Sequence, residues 1–261
     1  MTSESNFSNQ TLIDSLNKLL AKDLIQLFND HYQTPSYDSS SNECLENDLI
    51  EKIQLVINKF IDSIKNNLIT QQRLSDLLTE NLKLFKRDDL TKNKARFITH
   101  IFLDISRVIG IEDGFYKVIN WSDGEPQEYW YRLRNAVYRR DLLEAERLLE
   151  LKPELRNIRN SLGETVLHFL AVEDDLESVS WLYQRGFSLD NKTGIICEPT
   201  IFEIATLGYK ELLKWFYQNG ADFSAKNRDG KNILEYLEEY KEIDIDKFSD
   251  MIKFVQLLLK S

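Results

Sequence analysis

Two stretches in the second half of this chain superimpose at a spacing of about 34 residues, and no other feature constrains the fold as strongly. In the first copy, the short apolar stretch 163–171 is followed by the longer apolar stretch 178–187. In the second copy, 200–205 and 212–222 follow the same pattern, and a third copy opens at 227–234. A fixed period of this size predicts a solenoid of small helical units, because each unit buries its apolar face only against its neighbours.

The first copy carries a motif that resembles the ankyrin-repeat family. Thr165 and His168 match the Thr and His of that family's Thr-Pro-Leu-His motif, and Val166 stands in place of the proline. The resemblance covers about residues 129–261 and implies units of two antiparallel helices and an outward β-turn. It also implies that the side chains of Thr165 and His168 brace the turn at the start of the helix.

Later copies depart from this motif. Phe202 takes the place of the histidine in the second copy, and Asn232 and Glu235 occupy the Thr and His positions in the third. Glycines nevertheless recur where the second helices are predicted to end and where β-turns are predicted to begin the units. These structural glycines are Gly163, Gly186, Gly220 and Gly230.

The repeat domain is predicted to hold about four copies, near 129–162, 163–196, 197–229 and 230–261. The copy near 129–162 lacks the Thr-Pro-Leu-His tetrad. In the last copy the second helix is predicted to come about ten residues late, after an insertion over 238–250. Because a terminal unit has a neighbour on one side only, these degenerate copies are expected to serve as caps.

The first half of the chain shows no repeat and resembles no family, and its apolar spacing predicts a helical bundle. Apolar residues recur at three- and four-residue steps in four segments, at 8–31, 45–68, 74–85 and 90–109. Residues 33–42 are predicted to form a loop, and 111–121 an extended or single-turn connector. The predicted fold class is therefore all-α, with a helical bundle domain over 1–121 followed by an ankyrin-repeat domain over 122–261.

Composition and charge limit the partners. Apolar residues make up 42% of the chain, which excludes wholesale disorder. The formal net charge is −10 and no stripe of Lys and Arg stands out, so nucleic acid is not expected as a partner. The charge suits another protein with a basic surface, such as a basic enzyme or toxin.

The cysteines and the N-terminus indicate the compartment. The two cysteines, Cys44 and Cys197, lie in different halves of the chain. Two such widely separated thiols form neither a disulfide framework nor a metal cluster. The N-terminal residues have no positively charged region followed by an apolar one, as a secretory signal would. No apolar run approaches the roughly 20 residues that span a bilayer. We therefore expect a cytoplasmic protein with no membrane contact.

The sequence offers no recognisable catalytic or metal-binding motif. The histidines, His31, His100 and His168, are neither paired at zinc-helix spacing nor joined by Cys or carboxylate residues in a ligand pattern. The glycine-rich segment 110–114 lacks the lysine of a phosphate loop. Because no nucleophile elbow is present either, we expect no enzyme activity, no catalytic residue, no cofactor and no metal.

The resemblance implies that the turn tips and the inner-helix face of the repeats bind a protein partner. The residues predicted to form this binding surface are Asn157, Arg159, Asn160, Leu162, Phe169, Glu173, Asp174, Lys192, Thr193, Ile195, Glu203, Leu207, Lys226, Arg228 and Asp229.

Three functions are compatible with these features. The first is a bacterial immunity- or antitoxin-like protein that sequesters or inhibits its partner in a tight, salt-sensitive complex. The second is an adaptor or secreted effector scaffold whose two domains bind separate partners. The third is an enzyme with its site in the N-terminal domain, for which His100, Asp104 and Arg107 would have to converge in a cleft.

Overall fold

The computed structural model describes residues 9–32, 45–66, 70–192 and 198–260, with the backbone alone at 31 and 32. Across these ranges the chain forms fourteen α-helices, three short 3-10 helices and no β-strand. The all-α prediction is therefore confirmed. The loop predicted at 33–42 lies outside the described residues.

Residue contacts divide the chain into two compact units, Met1–Glu128 and Tyr129–Ser261. The boundary predicted between residues 121 and 122 falls inside the first unit. Each unit has its own hydrophobic core of buried side chains.

The first unit contains helices of very different lengths. They are α1 (Asn9–Leu20), α2 (Leu24–Tyr32), α3 (Asn47–Lys65), α4 (Gln71–Leu82), α5 (Lys92–Ile109) and α6 (Gly114–Asp123), with a 3-10 turn at Arg87–Asp89. The core includes the edge-to-face pairs Phe28–Phe97 and Phe85–Phe102, whose ring centroids are 5.4 and 5.5 Å apart. Such pairs add specific geometry to apolar burial.

The segment predicted as one helix over 8–31 is two helices in the structure. α1 ends at Leu20, and α2 begins at Leu24. The side chain of Asp23 accepts a hydrogen bond from the backbone amide of Gln26 at 3.0 Å. Because such a bond satisfies an amide at the start of a helix, the apolar spacing continues while the helix restarts.

The connector predicted at 111–121 was also wrong, because it folds as α6. Gly110 ends α5 with a φ of 74°, and four residues later α6 begins. Val118 and Ile119 are buried, and the indole N–H of Trp121 donates to the carbonyl of Phe85 at 2.9 Å. Burial of one face thus stabilises a short helix where the sequence showed only a short segment between glycines.

Gly114 marks the closest approach of α6 to α5. A Cβ atom at this position would lie 1.8 Å from the Oγ of Ser106 and 2.8 Å from its Cβ. Rotation of the serine hydroxyl cannot relieve the second contact. This position therefore needs glycine for space rather than for backbone freedom.

The second unit consists of helix pairs. Its helices are α7 (Glu125–Tyr138), which begins in the first unit, α8 (Leu142–Leu151), α9 (Val166–Val172), α10 (Leu176–Tyr183), α11 (Thr200–Leu207), α12 (Lys210–Gln218), α13 (Ile233–Glu239) and α14 (Ile245–Leu258). α9 packs against α10, α11 against α12, and α13 against α14. Because α11 also packs against α9 and α13, its apolar residues are buried from both sides.

Helix starts recur at the spacing read from the sequence. α8, α10 and α12 begin at Leu142, Leu176 and Lys210, 34 residues apart. The last second helix, α14, begins at Ile245, 35 residues after Lys210. The ten-residue insertion predicted over 238–250 was therefore wrong: Asp244 caps an earlier helix start by accepting from the amide of Lys247 at 3.0 Å.

A left-handed residue lies just before each of the helices α8, α10 and α12. These residues, Arg140, Asp174 and Gly208, have φ values of 62°, 57° and 93°. For α8 and α10 the next residue, Asp141 or Asp175, caps the helix by accepting from a backbone amide. The left-handed backbone conformation is thus repeated at equivalent positions even though the residue type there differs.

Asparagines build two matching turns. The Oδ1 of Asn160 accepts from the backbone amides two and four residues later at 3.0 and 2.9 Å, and that of Asn227 does the same at 3.0 Å in both cases. Gly163 and Gly230 then adopt φ values of 83° and 76°. Such hydrogen bonds from backbone amides to an asparagine side chain fix the conformation of a turn even where no helix or strand flanks it directly.

No helix in the described part of the chain is long and apolar enough to cross a membrane.

Candidate functional site

The residues predicted at the turn tips are mostly exposed. Leu162 exposes 57% of its surface. The other exposed tip residues are Asn157, Arg159, Lys192, Lys226, Arg228 and Asp229, whereas Asn160 is half-buried. Thr193 and Ile195 lie outside the described residues.

Two basic tip residues also hold neighbouring turns together. A guanidinium nitrogen of Arg159 donates to the carbonyl of Gly163 at 2.6 Å and to that of Lys192 in the following turn. The Nζ of Lys192 in turn donates to the carbonyl of Lys226 at 2.8 Å. Because these cations already bind backbone oxygens, their first role in the fold is to connect successive turns.

The predicted inner-helix residues differ in exposure. Phe169 is half-buried, and the side chain of Glu203 exposes 22% of its surface. Glu173, Asp174 and Leu207 are exposed. The side chains of Phe169 and Glu203 are therefore partly shielded from water, whereas those of Glu173, Asp174 and Leu207 are exposed to it.

An arginine that the sequence did not single out lies against this face. The guanidinium carbon of Arg134 lies 5.1 Å from the ring centroid of Phe169 and 5.3 Å from that of Tyr131. Phe169 also contacts the ring of Trp130 edge-to-face, with centroids 5.7 Å apart. The Nε of Arg134 is buried and has no hydrogen-bond acceptor among the described residues.

A second aromatic group lies on α11 and α13. The ring centroids of Phe202 and Tyr236 are 5.1 Å apart, and the hydroxyls of Tyr236 and Tyr240 are 3.1 Å apart. Burial, helped by the hydrogen bond with Tyr240, raises the pKa of Tyr236 well above its usual range. The phenol is therefore neutral at physiological pH and available for hydrogen bonding.

Glu198 is a buried carboxylic acid close to this aromatic group. Burial raises the pKa of its side chain, against a hydrogen bond from Asn227, and the nearby carboxylates of Glu203 and Asp229 raise it further. The amide of Asn227 lies 3.3 Å from Glu198 Oε1. Ionisation of Glu198 is thus less favourable in the folded protein than in the unfolded chain.

His168 is fully buried, and its ring contacts the next helix pair. Nδ1 lies 3.0 Å from the hydroxyl of Thr200, and Nε2 lies 3.1 Å from Oε2 of Glu203. Thr165 caps α9 by accepting from the backbone amide of His168 at 3.3 Å. The threonine therefore acts at the start of its own helix, while the histidine ring acts between α9 and α11.

Glu164 joins His168 and Glu203 in a compact cluster. One ligand atom from each of the three lies within 4.8 Å of the others. No such set was expected from the sequence, because Glu203 is 35 residues from His168 and comes close only through the packing of α9 on α11. The only local signal was a carboxylate four residues before the histidine.

His100, Asp104 and Arg107, which an enzyme in the first unit would have to bring together, do not line either of the two clefts described for this unit. His100 and Arg107 are exposed, and Arg107 pairs with Asp104 at 2.8 Å. The larger described cleft of this unit, about 460 Å³, is lined by carboxylates, lysines and apolar side chains, and the smaller one also excludes these three residues. Neither contains a histidine that could act as a general base.

No protein-family model matches this sequence. The resemblance to ankyrin repeats stays a prediction from the motif residues and their spacing.

Proposed function

We propose that the second unit is an ankyrin-like repeat domain that binds another protein and sequesters or inhibits it. The observation that carries this proposal is a row of equivalent side chains, Phe169, Glu203 and Tyr236, on the successive helices α9, α11 and α13. Each lies four residues after the N-cap of its helix, and each is half-buried. The same position thus holds an apolar ring, a carboxylate and a phenol. A position that only packed helices together would hold similar apolar side chains in every repeat, so this variation favours recognition of a partner.

Arg134 strengthens this interface. Its guanidinium is held between aromatic rings, so little conformational freedom is lost when a partner binds. Arg134 is half-buried, so a carbonyl or carboxylate oxygen of the partner would bind the exposed part of its side chain rather than the buried Nε. Arginine and tyrosine are also the residues that most often dominate binding free energy.

The charge of the chain favours a basic partner. With a formal charge of −10, the protein attracts a positively charged surface, and association weakens as salt screens that attraction. Inhibition of a basic enzyme or toxin, as by an immunity or antitoxin protein, is the form of sequestration that fits this charge.

Affinity purification of the tagged full-length protein from its own host, at low and high salt, tests the proposal. We expect one dominant, near-stoichiometric basic protein whose yield falls at high salt. Several weak partners that divide between the two units would contradict sequestration and favour an adaptor. An empty eluate from folded protein would contradict a constitutive partner.

A pair of matched substitutions then tests the surface. Arg134→Lys keeps the positive charge but removes the planar guanidinium and its several N–H donors, so we expect the affinity for the captured partner to fall about tenfold. Arg139→Lys makes the same change at an exposed position outside the row and is expected to leave the affinity unchanged. Equal affinities for the two variants would place the interface elsewhere.

A further inference from the structure

The cluster of Glu164, His168 and Glu203 has the composition of a metal site. One imidazole and two carboxylates are ligands that zinc and other divalent first-row metals accept. His168 is fully buried, Glu164 exposes 8% of its surface, and the side chain of Glu203 exposes 22%. The cluster is therefore shielded on one side and open to solvent at Glu203.

Its hydrogen bonds leave a position for a cation. The hydroxyl of Thr200 lies 3.0 Å from the carbonyl of Asn191, which can only accept. If the hydroxyl donates there, His168 Nδ1 must donate to Thr200, and the lone pair of a neutral imidazole then points from Nε2 towards Glu203 at 3.1 Å. Two acceptors at this distance need a proton or a metal ion between them.

Two positive species satisfy that need. The first is a proton on Nε2, which makes an ion pair of His168 and Glu203. The second is a metal ion. Ligand atoms bound to one tetrahedral zinc ion at about 2.0–2.1 Å lie roughly 3.3 Å apart, close to the 3.1 Å between Nε2 and Oε2. The second carboxylate, Glu164, gives the cluster more negative charge than a single proton can balance.

Outer hydrogen bonds hold the three side chains in orientation. Thr200 fixes the ring of His168 through Nδ1, and the amide of Asn160 donates to Glu164 Oε2 at 2.7 Å. Metal ligands are characteristically oriented by such hydrogen bonds on the side away from the metal. One ligand atom from each of the three side chains lies within 4.8 Å of the others, so the three can reach a common ion.

We propose that Glu164, His168 and Glu203 bind one divalent transition-metal ion, with zinc as the best match to the ligands, and that water completes the coordination. The metal joins α9 to α11 and so fixes one helix pair against the next. It also neutralises Glu203, which lies in the row of interface residues, but the metal site does not depend on that interface.

Zinc binding by the purified full-length protein tests the proposal. After treatment with a chelator, the protein is titrated with zinc by calorimetry and with cobalt by visible absorption. We expect one ion per chain and a rise in melting temperature with zinc. Cobalt should give the spectrum of nitrogen and oxygen ligands without a thiolate charge-transfer band.

Carboxamide variants locate the site without disturbing the buried ring. Glu203→Gln and Glu164→Gln are each expected to weaken zinc binding at least about tenfold, a loss typical of perturbed ligand sets. Glu211→Gln, at an exposed carboxylate on α12, is the matched control and should bind as the wild type does. Circular dichroism confirms that each variant is folded.

Other results would overturn the proposal. Absence of zinc binding in the wild-type protein would leave the ion pair of His168 and Glu203 as the explanation of the geometry. Equal affinity in the wild type and in both cluster variants would place the ion elsewhere. Loss of binding in a Cys44→Ser/Cys197→Ser variant alone would identify thiolates as the ligands.

Discussion

The two units of this protein use different means to build a helical core. In the first unit the helices range from 9 to 19 residues, and their contacts, such as the one at Gly114, occur once. In the second unit, left-handed residues and aspartate caps recur at intervals of 34 residues, and the two asparagine turns lie about two such intervals apart. A substitution at a repeated position can be compared with the same substitution at the equivalent position of another repeat. A contact that occurs once has no such equivalent, so its test needs a second, compensating substitution at the same contact.

The largest effect is expected for Gly114→Ala in the first unit. The new methyl group would overlap Ser106, whose Cβ cannot move by rotamer change, so we expect a loss of about 3 kcal/mol of unfolding free energy. Denaturant unfolding followed by circular dichroism measures it. Adding Ser106→Gly removes the overlapping atoms and should restore part of the loss. A loss below about 1 kcal/mol would show that α6 shifts freely on α5, and a larger loss without rescue would show that the overlap with Ser106 is not its cause.

Next comes Asp175→Ala, compared with Asp141→Ala at the equivalent cap. Both variants lose a helix cap, at about 1 kcal/mol. Asp175 also accepts from Ser178 and forms a bidentate pair with Arg140, at 2.8 and 3.0 Å. We expect its replacement to cost about 2 kcal/mol in total, with the pair discounted because Arg140 is partly exposed. Equal losses in urea unfolding would mean that the pair adds nothing.

The pH dependence of this difference has a definite sign. Burial alone would raise the pKa of Asp175, but hydrogen bonds from Arg140 and Ser178 outweigh it and lower the pKa below its ordinary value of 3.8. A lowered pKa stabilises the fold above 3.8, and that stabilisation disappears as pH falls through the folded-state pKa. The gap between the two alanine variants should therefore narrow in acid. A constant gap would contradict the ionic contribution.

A smaller effect is expected for Gly208→Ala. Open space surrounds this glycine, where the nearest contact of a Cβ would be Lys247 at 3.7 Å, so the cost is that of a φ of 93° alone. We expect a loss of about 1 kcal/mol. The reverse change, Asp174→Gly at the equivalent position, should leave the unfolding free energy equal or slightly higher. If both changes were destabilising by the same amount, the two positions would not be equivalent.

The smallest effect is expected for Glu198→Gln, and it is a gain in stability. Because the pKa of Glu198 is raised, wild-type stability is fully present below the ordinary value of 4.5 and declines as pH rises through the folded-state pKa. Glutamine has no such decline and keeps the oxygen that accepts from Asn227. The variant should therefore melt higher than the wild type at pH 7 and like it at pH 4. A lower melting temperature at pH 7 would contradict this.

Much of the second unit could be predicted because its helices and turns are determined by residues close together in the sequence. Apolar spacing located the helices, and the 34-residue period located the starts of α8, α10 and α12. The glycines predicted at turns and helix ends, Gly163, Gly186, Gly220 and Gly230, all have positive φ. In the first unit the same spacing missed the break before α2 and the whole of α6, because a cap or a buried face decided them.

The candidate site was less accessible to sequence reasoning. The half-buried positions of Phe169 and Glu203 follow from where they lie on predicted helices. Arg134, however, became relevant only when α7 and α9 placed two aromatic rings beside it, and Tyr236 only through its contacts with Phe202 and Tyr240.

The sequence by itself determined the helical class, the spacing of the helix pairs and the residues that turn the chain between them. These depend on backbone preference and on the periodic alternation of apolar and polar residues, which act over a few residues. Only the tertiary structure brought Glu164, His168 and Glu203 together and buried the Nε of Arg134 with no acceptor among the residues that the structure describes. Contacts between residues that are far apart in the chain, and the burial of their side chains, are decided by how the helices pack. No repeating pattern in the sequence marks them.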